Sequence, residues 1–244
     1  MQLILSFVFT IFLFVWTFLY AIFFVIACSV LPIRGRYALT RVYARSILGG
    51  LALLCGLRFE VRGAENFPAV PHVQLWKHAS AWETIGQFLV GPAKALVLKR
   101  ELIWLPFFGW GLAQLRSIPI DRSSGTSAVN LVVGAGQKRL QDGLSVLIFP
   151  EGTRMAPGET RKYGVSGALL ATRAGCLVVP VAHDAGFYWQ RRGLLKKRGT
   201  IQVVVGKPID ATGRDVREIN AEVQAWIEAE IAKIRAAKTA ASIP

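Results

Sequence analysis

Residues 126–154 read TSAVNLVVGAGQKRLQDGLSVLIFPEGTR, and they decide the fold class. Thr126 or Ser127 offers a side-chain oxygen to cap a helix running to Gln141, and Gly143 supplies the residue that stops it. Leu144 to Phe149 is then a short apolar run of strand length. Ser117 to Ile120, upstream, is a further strand, so the order is strand, helix, strand, the unit of an α/β domain. Working outward, short β-branched runs predict strands at Phe59–Val61, Val73–Trp76, Ala95–Leu98, Ser145–Phe149, Leu177–Val181 and Ile201–Val205, with helices between most of them. Val216, Ile219, Val223, Ile227, Ile231 and Ile234 recur at helical spacing and predict a closing amphipathic helix whose tail frays after Ala236. No internal repeat is visible.

The front of the chain has a different texture. No charged residue occurs from Leu3 to Leu31. As a helix that stretch covers roughly 43 Å, against a hydrocarbon core of roughly 30 Å, so one tilted transmembrane helix fits it. A cleaved signal fits worse, because no basic residue precedes the run and it far exceeds an h-region. Val25-Ile26-Ala27-Cys28 loosely resembles a lipoprotein cleavage site, but the same two features count against it. Arg34, Arg36, Arg41 and Arg45 follow the span, which by the positive-inside rule places the remainder on the cytoplasmic side of an inner membrane. Ser46 to Leu57 is apolar but too short to cross, so it reads as an interfacial or re-entrant helix or, equally, a buried core helix. The expected organisation is thus an anchoring segment over residues 1–58 and a cytoplasm-facing α/β domain over residues 59–244.

The 244 residues carry a formal charge of +14, which fits acidic partners: anionic lipid head groups, phosphorylated small molecules or nucleic acid. Nucleic acid is disfavoured because no binding-module signature surrounds the basic residues. Cys28, Cys55 and Cys176 lie in apolar contexts without metal-ligand spacing, which fits a reducing compartment and ordinary packing.

Two segments carry chemistry. Lys77-His78-Ala79-Ser80-Ala81-Trp82-Glu83 follows a predicted strand and sets an imidazole five residues before a carboxylate. Such a match arises by chance roughly one time in five in this composition. Ser80 and Glu83 also form a capping box for a helix starting at Ala81, which is a purely structural reason for Glu83. The readings are compatible, because His78 lies on the loop before that helix. A His–carboxylate pair accepts a proton from a hydroxyl, the carboxylate fixing the tautomer and stabilising the imidazolium. A hydrolase would also need a serine elbow, and Gly164-Val165-Ser166-Gly167-Ala168 lacks its final glycine, so the nucleophile falls to the substrate's own hydroxyl. The second segment is Phe149-Pro150-Glu151-Gly152-Thr153-Arg154, beyond the end of a strand, where open α/β sheets bind ligands. Gly152 permits a sharp turn and Arg154 offers a planar fork for phosphate, with Arg161, Lys162 and a helix start near Gly164 adding positive field. His72 and His183 are read as structural, and Phe107-Phe108-Gly109-Trp110-Gly111 as acyl-channel lining, lipid contact or core.

In order, His78-x4-Glu83, the block Lys99-Arg100-Glu101-Leu102 with Pro106 and Gly109 to Gly111, Phe149 to Arg154, and Val178-Val179-Pro180-Val181 resemble the glycerolipid acyltransferase family from about Phe59 to Ile209. Glu83 stands where the family usually has aspartate, and Lys77 where asparagine is common. The resemblance implies a mixed α/β sheet flanked by helices, His78 as general base and Glu83 as its partner. It places Lys99, Arg100, Glu151, Gly152, Thr153 and Arg154 around the acceptor's glycerol phosphate. The expected reaction moves a fatty acyl group from acyl-CoA or acyl-carrier protein to the sn-2 hydroxyl of 1-acylglycerol-3-phosphate, forming phosphatidic acid with no metal and no cofactor beyond the donor. The rivals are acylation of another lysolipid (a lyso-ornithine lipid or lysophosphatidylethanolamine), a non-catalytic module that binds anionic lipid, and a lipid phosphatase or hydrolase.

Overall fold

A computed structural model of the chain describes residues 1–240. Each strand expected from the sequence is present: β1 (Leu57–Arg62), β2 (Val73–Trp76), β3 (Lys94–Lys99), β4 (Ile118–Ile120), β5 (Ser145–Ile148), β6 (Leu177–His183) and β7 (Gly199–Val205). A two-residue strand, β8 (Ile209–Asp210), is added. The helices are α1 (Gln2–Cys28), α2 (Ile33–Cys55), α3 (Trp82–Gly86), α4 (Phe108–Gln114), α5 (Thr126–Gln141), α6 (Ser166–Ala174) and α7 (Val216–Ala240). The strands make one mixed sheet in the order β1-β7-β6-β2-β5-β3-β4, with β8 on β6. The centre, β6-β2-β5-β3-β4, is parallel, and β6 pairs antiparallel with β7 and β8.

Period-two alternation sorts the central strands onto two faces. Val73, Leu75, Val97, Val146, Ile148, Val178 and Ala182 face α5, α6 and α7, whereas Trp76, Leu96, Leu98, Leu147, Val179 and Val181 face α1 to α4. Both faces are covered, so these strands read as continuous apolar runs rather than alternating ones. Gly167 lets α6 sit against the sheet: a Cβ there would lie 2.5 Å from Leu75 Cδ2. Because the central strands run the same way, the segments that follow β2, β3, β4 and β5, together with the last residue of β6, emerge at one edge of the sheet.

Three expectations need correction. The apolar stretch from Ser46 is not a separate short helix. It is the second half of α2, which begins at Ile33 and carries Arg34, Arg36, Arg41 and Arg45 on its first half. The reason is one-sided burial: Ala44, Ile47, Leu51 and Cys55 pack into the core under the sheet and hold the whole helix in register. The N-cap of α5 is Gly125 without a side-chain cap, because the turn on Asp121, whose Oδ1 accepts from Ser123 N–H at 2.9 Å, leaves Thr126 and Ser127 inside the first turn. Finally, α7 stays helical past Ala236 to Ala240, since Lys238 pairs with Asp184 and donates to Thr200 O at 2.7 Å. The expectation of fraying extends to 241–244, which lie outside the described residues.

Both α1 and α2 are long and apolar enough to cross a bilayer. Yet α1 does not project away from the rest. At its start Gln2 Nε2 donates to Lys196 O at 2.6 Å and Cys55 O at 2.9 Å. Toward its end Phe24 packs at Gly111 of α4, and Arg36, just beyond the turn, donates to Gln114 O at 3.0 Å. Its outer side exposes Leu3, Phe7, Ile11, Phe14, Phe18 and Ile26 in a helical stripe. An apolar stripe of that length marks a membrane-facing surface rather than a water-facing one. Residues 1–58, expected as an anchor ahead of a domain, share one core with it: Phe9, Ile47 and Leu51 belong with Trp76, Leu147 and Val179. Removal of residues 1–55 is therefore expected to leave only α3 and α4 over this face of the sheet and give an aggregating chain without a cooperative unfolding transition; a soluble, active truncation would show the hairpin to be dispensable.

Candidate active site

The site is assembled at the carboxyl edge of β2, β4 and β5. Beyond β2 the chain turns through Lys77 to Ala81 and starts α3, and Glu83 points back at the loop it has just left. One Glu83 oxygen, Oε1, accepts from His78 Nδ1 at 2.8 Å, Ala79 N–H at 2.9 Å and Ser80 N–H at 2.8 Å. Ser80 Oγ accepts from Trp82 N–H at 3.1 Å. The helix-start and His-partner readings of Glu83 are thus both realised, by the same oxygen. Since the carboxylate accepts from Nδ1–H, the lone pair of His78 lies on Nε2. Its ring stacks on Phe149, centroids 4.1 Å apart.

Glu151 fixes this loop from below. Its Oε2 accepts the His78 amide at 2.8 Å, and its Oε1 pairs with Lys77 Nζ, both groups buried. Met155 N–H donates to His78 O at 2.8 Å, closing the contact between the β2 and β5 loops. Glu151 therefore braces the base, with both oxygens engaged, rather than facing outward. Gly152 takes the turn at φ +67°, where a side chain would be strained.

The electrostatics follow from burial. Desolvation pulls the His78 pKa below its ordinary value, the Glu83 hydrogen bond and charge raise it, and Arg154 and Arg122 push it down further. Burial alone would raise Glu83, but the hydrogen bond from His78, the electrostatic influence of the His183 and His78 rings and the Ser80 amide outweigh it and hold the carboxyl below its usual range. At neutral pH the pair is accordingly an ionised carboxylate and a neutral imidazole.

Arg122 was not among the residues singled out from the sequence. It follows β4, donates to Gly152 O, and stands close enough to His78 and Arg154 to affect both. The signal was available: Asp121-Arg122 directly follows a predicted strand, the same criterion that selected Phe149 to Arg154. Arg154 is half-buried, with a buried Nε that has no partner among the described residues. Thr153 is half-buried beside it. Lys99 and Arg100 lie at the same edge, at the end of β3, but their charges meet Glu101 at 3.1 Å and Asp121 at 3.1 Å. Phe149 walls two cavities. An apolar one of about 180 Å³ runs between α3, β3, α4 and the hairpin, touching Ile85, Leu96, Leu112, Tyr20 and Phe24. A basic one of about 340 Å³ is lined by Arg122, Arg161, Lys162 and the first turns of α5 and α6. His78 thus stacks on the one ring, Phe149, that lines both the apolar and the cationic compartment.

A buried His–carboxylate pair to which no serine hydroxyl is hydrogen-bonded at the imidazole among the described residues, beside an apolar hairpin, is an arrangement suited to a membrane-associated group-transfer enzyme of the acyltransferase type. The family model described as Acyltransferase matches residues 58–184, and the chain belongs to that family. It is 44% identical over 211 residues to a 1-acyl-sn-glycerol-3-phosphate acyltransferase of Pseudomonas aeruginosa, covering 84% of this chain and 81% of that one. It is 31% identical over 193 residues to the human 1-acyl-sn-glycerol-3-phosphate acyltransferase alpha, covering 78% of this chain and 68% of that one. The crystal structure of the 1-acyl-sn-glycerophosphate acyltransferase PlsC of Thermotoga maritima has the same fold, with a TM-score of 0.80 at 19% identity over 96% of each chain.

Two outcomes are expected. Because protonation of His78 removes the base and its pKa is depressed, activity should fall as pH drops, with a midpoint in kcat/KM below about 6.5; a midpoint above that value would contradict a buried neutral imidazole. Glu151→Gln leaves Lys77 buried without its counter-charge and should lower stability by about 3–5 kcal/mol, read as a lower Tm in detergent.

Proposed function

We propose that the protein transfers a fatty acyl group from a thioester donor, acyl-CoA or acyl-carrier protein, to the sn-2 hydroxyl of 1-acylglycerol-3-phosphate, forming phosphatidic acid. The observation that carries this reading is the position of His78 on the Phe149 partition, with an apolar cavity on one side and a cationic one on the other. The lining of the first suits an acyl chain and that of the second a phosphate, and the ring they share is the one on which the imidazole stacks. The names of the Pseudomonas and human relatives support the same acceptor.

In the proposed step His78 Nε2 takes the proton of the acceptor hydroxyl while its oxygen forms the new C–O bond at the thioester carbonyl. The tetrahedral intermediate collapses by breaking the C–S bond, and the departing thiolate takes the proton back from His78. Glu83 stays ionised throughout and stabilises the imidazolium. Arg122 and Arg154 hold the acceptor phosphate, with Gly152 and Thr153 shaping the turn between them and Lys99 and Arg100 extending the positive field outward. The step requires a base, orientation and charge stabilisation, and no metal enters it.

The hairpin α1–α2 is the anchoring unit in this reading. Its exposed stripe lies in the lipid, holding the site where an amphiphilic acceptor resides, and the arginines on α2 favour the cytoplasmic side of an inner membrane. The polar residues assigned to the reaction all lie between Lys77 and Arg154, on a core that the hairpin shares.

The test is thiol release and acylated product from purified protein given acyl-CoA and a panel of lysolipids. His78→Ala should abolish transfer while the protein stays folded and membrane-bound; wild-type transfer by that variant would remove the base assignment. Arg122→Ala should raise the KM for the phosphorylated acceptor about 10-fold or more, an arginine–phosphate contact being worth about 1.5–3 kcal/mol. Equal use of lysolipids without a terminal phosphate would exclude the acceptor named above.

A further inference from the structure

Glu83 has a second oxygen, and it is bare. Oε2 is fully buried and has no hydrogen-bond partner among the described residues. His183 Nε2 lies 3.9 Å from it. His183 ends β6, is 1% exposed, and is wedged between the rings of Trp76 and Trp82. Its tautomer is fixed by its neighbours: Ala185 N–H donates to Nδ1 at 3.3 Å, so the ring proton sits on Nε2 and is donated to Lys77 O at 2.9 Å.

The carbonyl of Lys77 and the amide of His78 are the two polar ends of one peptide plane. His183 holds the first and Glu151 the second, at 2.9 Å and 2.8 Å. The peptide before His78 is thereby clamped from opposite sides, and the same Nε2 stands 3.9 Å from the unpartnered carboxylate oxygen. We infer that His183 is a positioning residue for the His78–Glu83 pair, one that locks the peptide beneath the base and stands against the free oxygen of the partner carboxylate.

The other charged groups around His183 are already committed or stand farther off. Lys77 Nζ goes to Glu151, and Asp184 pairs with Lys238. Glu159, Glu228 and Arg235 line the far side of a cavity of about 200 Å³ that His183 also touches. Loss of the Nε2–H dipole has one sign at both members of the pair. Glu83 gains proton affinity, and its less compensated charge raises the proton affinity of His78. Each change moves the acid limb of the kcat/KM profile to higher pH.

The inference rests on His78 being the base, and three variants separate the two ideas. Glutamine at this position places its amide nitrogen near the site of Nε2; asparagine reaches only the site of Nδ1; phenylalanine keeps the ring and loses both. His183→Gln should retain kcat within about 3-fold of wild type and an unshifted acid limb, as expected when the second partner of a functional histidine pair is conserved. His183→Asn and His183→Phe should lose about 10- to 100-fold in kcat, with the acid limb moved upward. If His183→Phe does not fold, the glutamine and asparagine variants decide between themselves. An unshifted acid limb in His183→Asn, even at reduced kcat, reduces His183 to packing and overturns the inference. Wild-type activity in His78→Ala would instead overturn the base assignment.

Discussion

A carboxylate with no exposure to solvent is tolerated only where donors replace the water it has lost. Glu83 meets that condition by gathering the imidazole and two backbone amides on one oxygen. The requirement dictates the local chain path: the loop must fold back so that the amides of Ala79 and Ser80 point at a side chain one helical turn ahead. The His78 ring then has one orientation. A second buried carboxylate, Glu151, repeats the logic from the neighbouring strand, taking the His78 amide and the Lys77 ammonium. The two loops are locked to each other through charge-assisted bonds, the strong class of hydrogen bond, and the imidazole is held in one orientation by the protein alone.

The same constraint explains the arrangement of the cavities. A parallel centre of the sheet delivers the segments that follow its strands to one edge, so the loops after β2 and β5 can be cross-braced there. Phe149, the first residue past β5, must then cover the imidazole, and what it separates is set by its surroundings: the hairpin side is apolar, and the α5–α6 side carries arginines and helix starts. Amphiphilic chemistry is built into the position of one ring. The hairpin completes the apolar compartment as well as covering the sheet, so its inner side serves the cavity and the core at once.

Much of this was legible in the chain. Strand positions followed from β-branched runs of the right length, and α5 and α7 from their periodicity. His78, Glu83 and the Phe149 to Arg154 turn were visible as polar residues placed just after strands. Arg122 satisfied the same rule and was passed over, because its motif is a single arginine after a three-residue strand. Glu151 was found, but its direction was not: a side chain at a turn faces the ligand or the fold depending on which loop packs beside it. Lys99 and Arg100 were placed at the right edge, while their pairing with Glu101 and Asp121 depends on rotamers and neighbours that no spacing rule contains.

The sequence by itself determined the α/β class, the apolar front, and the residue types able to take a proton and hold a phosphate, because each depends on composition, periodicity or local spacing. Tertiary structure decided the rest. The length of α2 was set by burial on the sheet rather than by its own charges, the order of α7 to Ala240 by a lysine reaching Asp184, and the standing of His183 by its 3.9 Å approach to a carboxylate 100 positions earlier in the chain. Contacts between distant positions are energies of packing, and a linear pattern carries no record of them.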